Sequence, residues 1–156
     1  MKTLLIQVGK TVNKHFQAGI SDYVERIGHY MPFEVVTIPD LKNTKNLSEE
    51  QQKQLEGEQI LKQLQPSDTV VLLDEHGREY RSIEFARWLE QKRNTARRLV
   101  FVIGGPYGFS QEVYARANEQ LSLSKMTFSH QMIRLTFTEQ VYRACTIIKG
   151  EPYHHE

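Results

Sequence analysis

The sequence predicts an α/β protein built on a largely parallel sheet, and two patterns carry that reading. Short apolar runs alternate along the chain with segments whose apolar residues recur every three to four positions. Leu99–Ile103 is apolar throughout and holds Val100, Val102 and Ile103, the pattern of a strand covered on both faces and therefore placed mid-sheet. That run opens directly into Gly104, Gly105 and Gly108, where backbone is free to take positive φ and a ligand meets no Cβ. Ligands of open α/β sheets bind past the carboxyl ends of strands, which makes this junction the default cofactor position.

The elements follow in order. Thr3–Val8 forms a first strand, ended by Gly9. Phe16, Ile20, Val24, Ile27 and Met31 make the stripe of an amphipathic helix from Asn13 to Met31, with Pro32 as its stop. Phe33–Ile38 is a second strand, halted by Pro39; Asp40–Asn46, with little to bury, is a mobile loop. Ser48 and Gln51 form a capping box that opens a polar helix to Leu64. Gly57 weakens that helix by about 1 kcal/mol relative to alanine. Thr69–Asp74 is a third strand, Asp74–Tyr80 a polar loop around Gly77, and Ser82 caps a helix to Asn94. Beyond the central strand, Ser110 caps a helix over Gln111–Glu119. Leu121–Leu123 is one more strand, Ser124–Ser129 a compact loop, and Gln131–Lys149 the last helix, with Gly150 as its stop.

Composition bounds the function. A chain of 156 residues fits one domain, expected over 1–156. Lys and Arg number 20 against 19 Asp and Glu, a net charge of +1, so any nucleic-acid surface has to be a local patch. The single cysteine, Cys145, excludes an internal disulfide and leaves no cluster for a zinc site, which suits a cytoplasmic setting. Met1–Gly9 reads as a strand and not as a leader, and no apolar run reaches the roughly 20 residues of a membrane span.

The glycine loop is neither a P-loop nor a dinucleotide fingerprint, because the required lysine and glycine spacings are missing. A tight structural turn and a cofactor contact through bare backbone are both open, the second favoured by the apolar strand before it. His130 and Arg134 stand at i and i+4 and share a helix face, where a cap and a solvated arginine are the plainer alternatives to chemistry. Pro152-Tyr153-His154-His155-Glu156 is an ionisable tail with two residues able to dock; histidine titrates nearest neutral pH, so a docked tail can move protons or bind phosphate.

Together these residues resemble the RlmH family, small methyltransferases of the SPOUT superfamily. The resemblance rests on Leu72-Leu73-Asp74, Ile103-Gly-Gly-Pro-Tyr-Gly108, Leu123-Ser-Lys-Met-Thr127 with His130-Gln131 and Arg134, Glu139-Gln-x-Tyr-Arg-Ala144 and Pro152-Tyr-His154. It implies a mostly parallel α/β fold with a C-terminal trefoil knot, a homodimer, and methyl transfer from S-adenosylmethionine to N3 of a pseudouridine in 23S ribosomal RNA on the assembled ribosome, with no metal and no membrane.

By position, the resemblance implies cofactor contacts from Leu73, Gly105, Ser124, Lys125, Met126, Thr127, Phe128 and Ser129. It implies proton transfer by His154 of a second copy's tail or by His130. Arg134, Arg143, Tyr153 and His155 are expected to position phosphate or base. A nucleotide-phosphate enzyme and a non-catalytic ribosome-binding factor are the competing readings.

Overall fold

A computed structural model describes residues Lys2–His155; Met1 and Glu156, the ends of the expected domain, lie outside the described residues. The elements run β1 (Lys2–Val8), α1 (Lys14–Gly28), β2 (Phe33–Ile38), α2 (Glu49–Lys62), β3 (Thr69–Glu79), α3 (Ser82–Thr95), β4 (Arg98–Ile103), α4 (Gln111–Arg116), β5 (Glu119–Ser122) and α5 (Met132–Lys149). The five strands form one sheet in the order β2-β1-β4-β3-β5, with every pairing parallel. Parallel neighbours require crossovers, and the helices that supply them cover both faces. β4, apolar from Leu99 onward, is the middle strand, as its composition requires.

Alternation along the strands splits the core into two layers. Leu5, Val71, Leu73, Leu99, Phe101 and Ile103 face α3 and α5, where Phe85, Leu89, Phe137 and Val141 are buried. Leu4, Ile6, Val70, Leu72, Val100 and Val102 face α2 and α4, through Ile60 and Val113. The rings of Phe101 and Phe137 meet edge to face with centroids 4.8 Å apart; truncating either to alanine costs about 3–5 kcal/mol. α5 also packs along α1.

Both expected serine caps form: Ser48 and Gln51 bond reciprocally at 3.0 and 2.9 Å, and Ser110 Oγ accepts the Val113 N–H at 3.4 Å. Other expectations are corrected. α1 ends at Gly28, and His29 to Met31 continue as turns bonded back to Arg26 and Ile27. Arg81, not Ser82, stands at the start of α3, its N–H bonded to Glu84 at 2.8 Å. The segment read as a mobile loop holds a 3-10 turn, Thr44–Asn46, after Asn43 at φ 59°.

The helix expected to reach Glu119 stops at Arg116 because Asn118 is drawn into the sheet: its side chain accepts the Val70 N–H and its N–H donates to Val70 O, both at 2.8 Å. Asp74–Tyr80 is for the most part strand. β3 bulges after Leu73 and resumes pairing at Arg78↔Leu121 and Glu79↔Ser122. Gly77 permits this, since a Cβ there would stand 2.6 Å from the Gln120 backbone.

Candidate active site

A cleft of about 480 Å³ opens at the carboxyl ends of β3, β4 and β5, the position open α/β sheets use for ligands. Leu73, Ile103, Leu121, Leu123 and Ile133 give it apolar walls. One lip is the Gly104–Phe109 loop and the other is Met126–His130. The three glycines of the first lip are there for three different reasons. Only Gly108 has a positive φ, +85°, and its N–H closes the turn on Gly105 O at 3.1 Å. A Cβ on Gly104 would press on the Phe109 ring at 3.0 Å, and one on Gly105 would stand 2.5 Å from Glu56 Oε1.

The second lip is shaped by its small hydroxyl residues. Ser124 Oγ accepts the Met126 N–H at 2.9 Å, and Ser122 Oγ donates to Ser124 O at 2.8 Å. Thr127 Oγ1 donates to Glu75 at 2.5 Å, tying the lip to β3. Ser129 receives the N–H groups of Met132 on Oγ and of Ile133 on its carbonyl, at 3.0 and 3.1 Å, and so satisfies the first free donors of α5.

Asp74, Glu75, His76 and Tyr114 complete the rim. Burial alone would raise the Asp74 carboxyl; hydrogen bonds from Tyr114 Oη and the His76 N–H outweigh it and hold the group below the usual carboxylate range. Burial, together with that bond to Asp74, pushes the Tyr114 phenol up. His130 is pushed below the ordinary histidine range, first by burial and then by the Arg134 charge.

A second cluster lies further along α5. Glu139 accepts from Arg143 Nη2 at 2.9 Å and from Tyr153 Oη at 2.8 Å. Arg143 Nη1 meets His154 Nδ1 at 3.0 Å, and its guanidinium lies 4.8 Å from the Tyr153 ring centre. Burial and the bond to Glu139 push the Tyr153 phenol up. Tyr153 packs edge-on against Tyr142 at 4.7 Å, and Glu151 accepts from Tyr30 Oη at 2.7 Å. The tail is docked at Tyr153 and His154, while Pro152 and His155 are exposed.

The structure therefore divides the expected site residues. Leu73, Gly105, Met126, Thr127, Phe128, Ser129 and His130 line one cleft; Ser124 shapes its lip from behind, while Lys125 and His155 are exposed. Arg143, Tyr153 and His154 sit together away from it, Arg143 being about 15 Å along the helix axis from Ile133. Arg134 corrects the expectation that it positions phosphate or base. It is fully buried and donates to Val8 O at 2.7 Å, Gly9 O at 2.9 Å and Thr11 Oγ1 at 3.0 Å. Asp74 and Glu139 entered the sequence reading only as motif residues without a role, although the i,i+4 spacing of Glu139 to Arg143 was an available signal; Glu75 and His76, which follow Asp74 on the rim, were missed.

A family model described as "Predicted SPOUT methyltransferase" matches residues 1–154. The chain belongs to the SPOUT methyltransferase family. Relatives span the whole chain and are covered over their own full length. The "Ribosomal RNA large subunit methyltransferase H" proteins of Bacteroides fragilis, Phocaeicola vulgatus and Porphyromonas gingivalis are 64%, 63% and 57% identical to it, each with 100% of both chains covered. Two groups of side chains thus stand apart on this chain: the walled cleft, and the Glu139–Arg143–Tyr153–His154 cluster.

Proposed function

We propose that this SPOUT methyltransferase methylates N3 of a pseudouridine in 23S ribosomal RNA, acting on the assembled ribosome in the cytoplasm as a homodimer. The observation that carries the reading is the division of the site: the cleft and the Arg143–Tyr153–His154 cluster lie apart in one chain, so juxtaposing them takes a second copy. Tyr107, Met126 and Met132, exposed by 43%, 78% and 38%, offer apolar cover for such a contact near the cleft. The names of the relatives support ribosomal RNA as substrate. The family's trefoil knot belongs to the same reading.

The cleft fits S-adenosylmethionine. Its apolar walls suit the faces of an adenine, the glycine lip presents main-chain groups without side chains, and ionised Asp74 at the rim complements a cationic ligand. Leu73, Gly105 and the 124–129 lip would hold the donor, which when bound supplies a sulfonium methyl. What remains for the chain is alignment and removal of one proton. Arg143 and Tyr153, fixed by Glu139, orient the nucleotide, and exposed His155 adds a contact to it. His154 takes the N3 proton on Nδ1, giving up the bond that Arg143 Nη1 donates to that nitrogen, with His130 at the cleft as the alternative base. A net charge of +1 gives little grip on free RNA, which favours a preformed ribosomal surface.

Incubation with ribosomes and S-adenosylmethionine, followed by mass analysis of the RNA, is expected to find one added methyl on a pseudouridine. Binding to ribosomes without methylation would leave a non-catalytic factor. Equal rates on short naked RNA would refute recognition of the assembled particle.

A further inference from the structure

Glu56 is the buried acid that the site as described leaves unused. It lies in α2, is only 5% exposed, and has one oxygen occupied: Oε2 accepts from Gln52 Nε2 at 3.2 Å. Oε1 is buried with no hydrogen-bond partner. Native chains rarely leave a buried carboxylate oxygen open, because its lost hydration goes uncompensated. Burial, with Asp40 adding to it, raises this carboxyl above the usual range against the opposing bond from Gln52.

The open oxygen lies against Gly105. A Cβ on Gly105 would sit 2.5 Å from it, so the absent side chain of Gly105 points toward Glu56 and the peptide of this lip rests on the carboxylate. The next residue of α2 has the matching role: a Cβ on Gly57 would reach Val113 at 3.2 Å and collide with Ser110 Oγ. Adjacent residues of one helix thus dock on Gly105 and on the Ser110 cap that follows the loop. The helix-weakening glycine and the buried acid form one back plate behind the lip.

We infer that Glu56 is a positioning residue for the methyl donor, its open oxygen receiving a main-chain N–H of the Gly105 lip when the donor is bound. Pro106 has no N–H and that of Gly108 is taken by Gly105 O, which leaves the amides of Gly105 and Tyr107, on either side of Pro106, as the candidate donors. Glu56 does not touch the ligand; it fixes the peptide that does. This rests on the reading of the cleft as the S-adenosylmethionine site.

Titration calorimetry of the full-length protein with S-adenosylhomocysteine tests it, alongside initial rates on ribosomes and thermal melts. Glu56→Leu is expected to weaken binding about tenfold, the effect of losing one buried bond to a charged acceptor. The loss falls on KM for the donor and not on kcat, and Tm is held because an apolar group replaces an open carboxylate. Glu56→Gln, which keeps an acceptor at the same reach, binds within about threefold of the parent. A folded Glu56→Leu variant that binds like the parent overturns the inference, as does a Glu56→Gln variant as weak as Glu56→Leu. Should Glu56→Leu not fold, Glu56→Asp decides: drawn back by one methylene, it must bind more weakly, and unchanged affinity overturns the inference. If the parent protein itself fails to bind S-adenosylhomocysteine, the donor reading of the cleft falls instead.

Discussion

Two arginines of α5, Arg134 and Arg143, differ in everything except their side chain. Arg134 has 0% exposure and directs its two Nη groups to the carbonyls of Val8 and Gly9 and to Thr11. Arg143 keeps its side chain 25% exposed and is held by Glu139, His154 and the Tyr153 ring. A guanidinium bonded to main chain is committed to the fold. One held by a carboxylate and aromatic groups is oriented and remains within reach of a ligand. The lesson is that the partners of a cation, rather than its place in a motif, separate support from chemistry.

Substitutions at the two clusters should separate along that line. The largest effect is expected at the tail: His154→Ala should lower the methylation rate on ribosomes about 10²- to 10⁴-fold, with Tm unmoved. An unchanged rate across pH would remove His154 as the base. Next, Arg134→Leu leaves the Val8 and Gly9 carbonyls without donors and should cost about 3 kcal/mol or more of stability in urea unfolding at fixed protein concentration. If the variant stays stable but binds ribosomes poorly, the two arginines are not divided as described.

Tyr153→Phe should lose about 1 kcal/mol and loosen the tail, read as faster amide exchange over residues 151–154. The smallest effect is a pH dependence from His130. Its pKa in the folded protein lies below the ordinary 6.5, so the folded state binds fewer protons than the unfolded one. The stability it contributes is complete above about pH 6.5 and is lost as pH falls through the lowered value. His130→Asn should flatten that acid limb in denaturant midpoints taken between pH 5 and 8.

Periodicity made the strands and their parallel arrangement legible, since β4 could be apolar on both faces only in mid-sheet. The extents of α4 and β3 were not legible, because both are settled by residues distant in sequence: Asn118 bonding Val70, and Gly77 lying on the Gln120 backbone. At the site, the glycine loop announced a tight turn, but why Gly104 and Gly105 lack side chains depends on Phe109 and Glu56. Arg134 was misread for the same reason. Nothing near it in sequence shows that the end of β1 needs donors. His130 and the serine-rich run were legible as a group, because loops and helix starts both draw on small polar residues in one short run, and the structure places Met126–His130 on one cleft.

The bonds that secure the end of β1 also set an order of events. Val8, Gly9, Lys10 and Val12 find their partners in Gln131 and Arg134, 119 to 126 residues away along the chain. Closing so large a loop has to precede the reward for closing it. Folding should therefore be slow for a protein of this length, and the first strand should gain its full protection last.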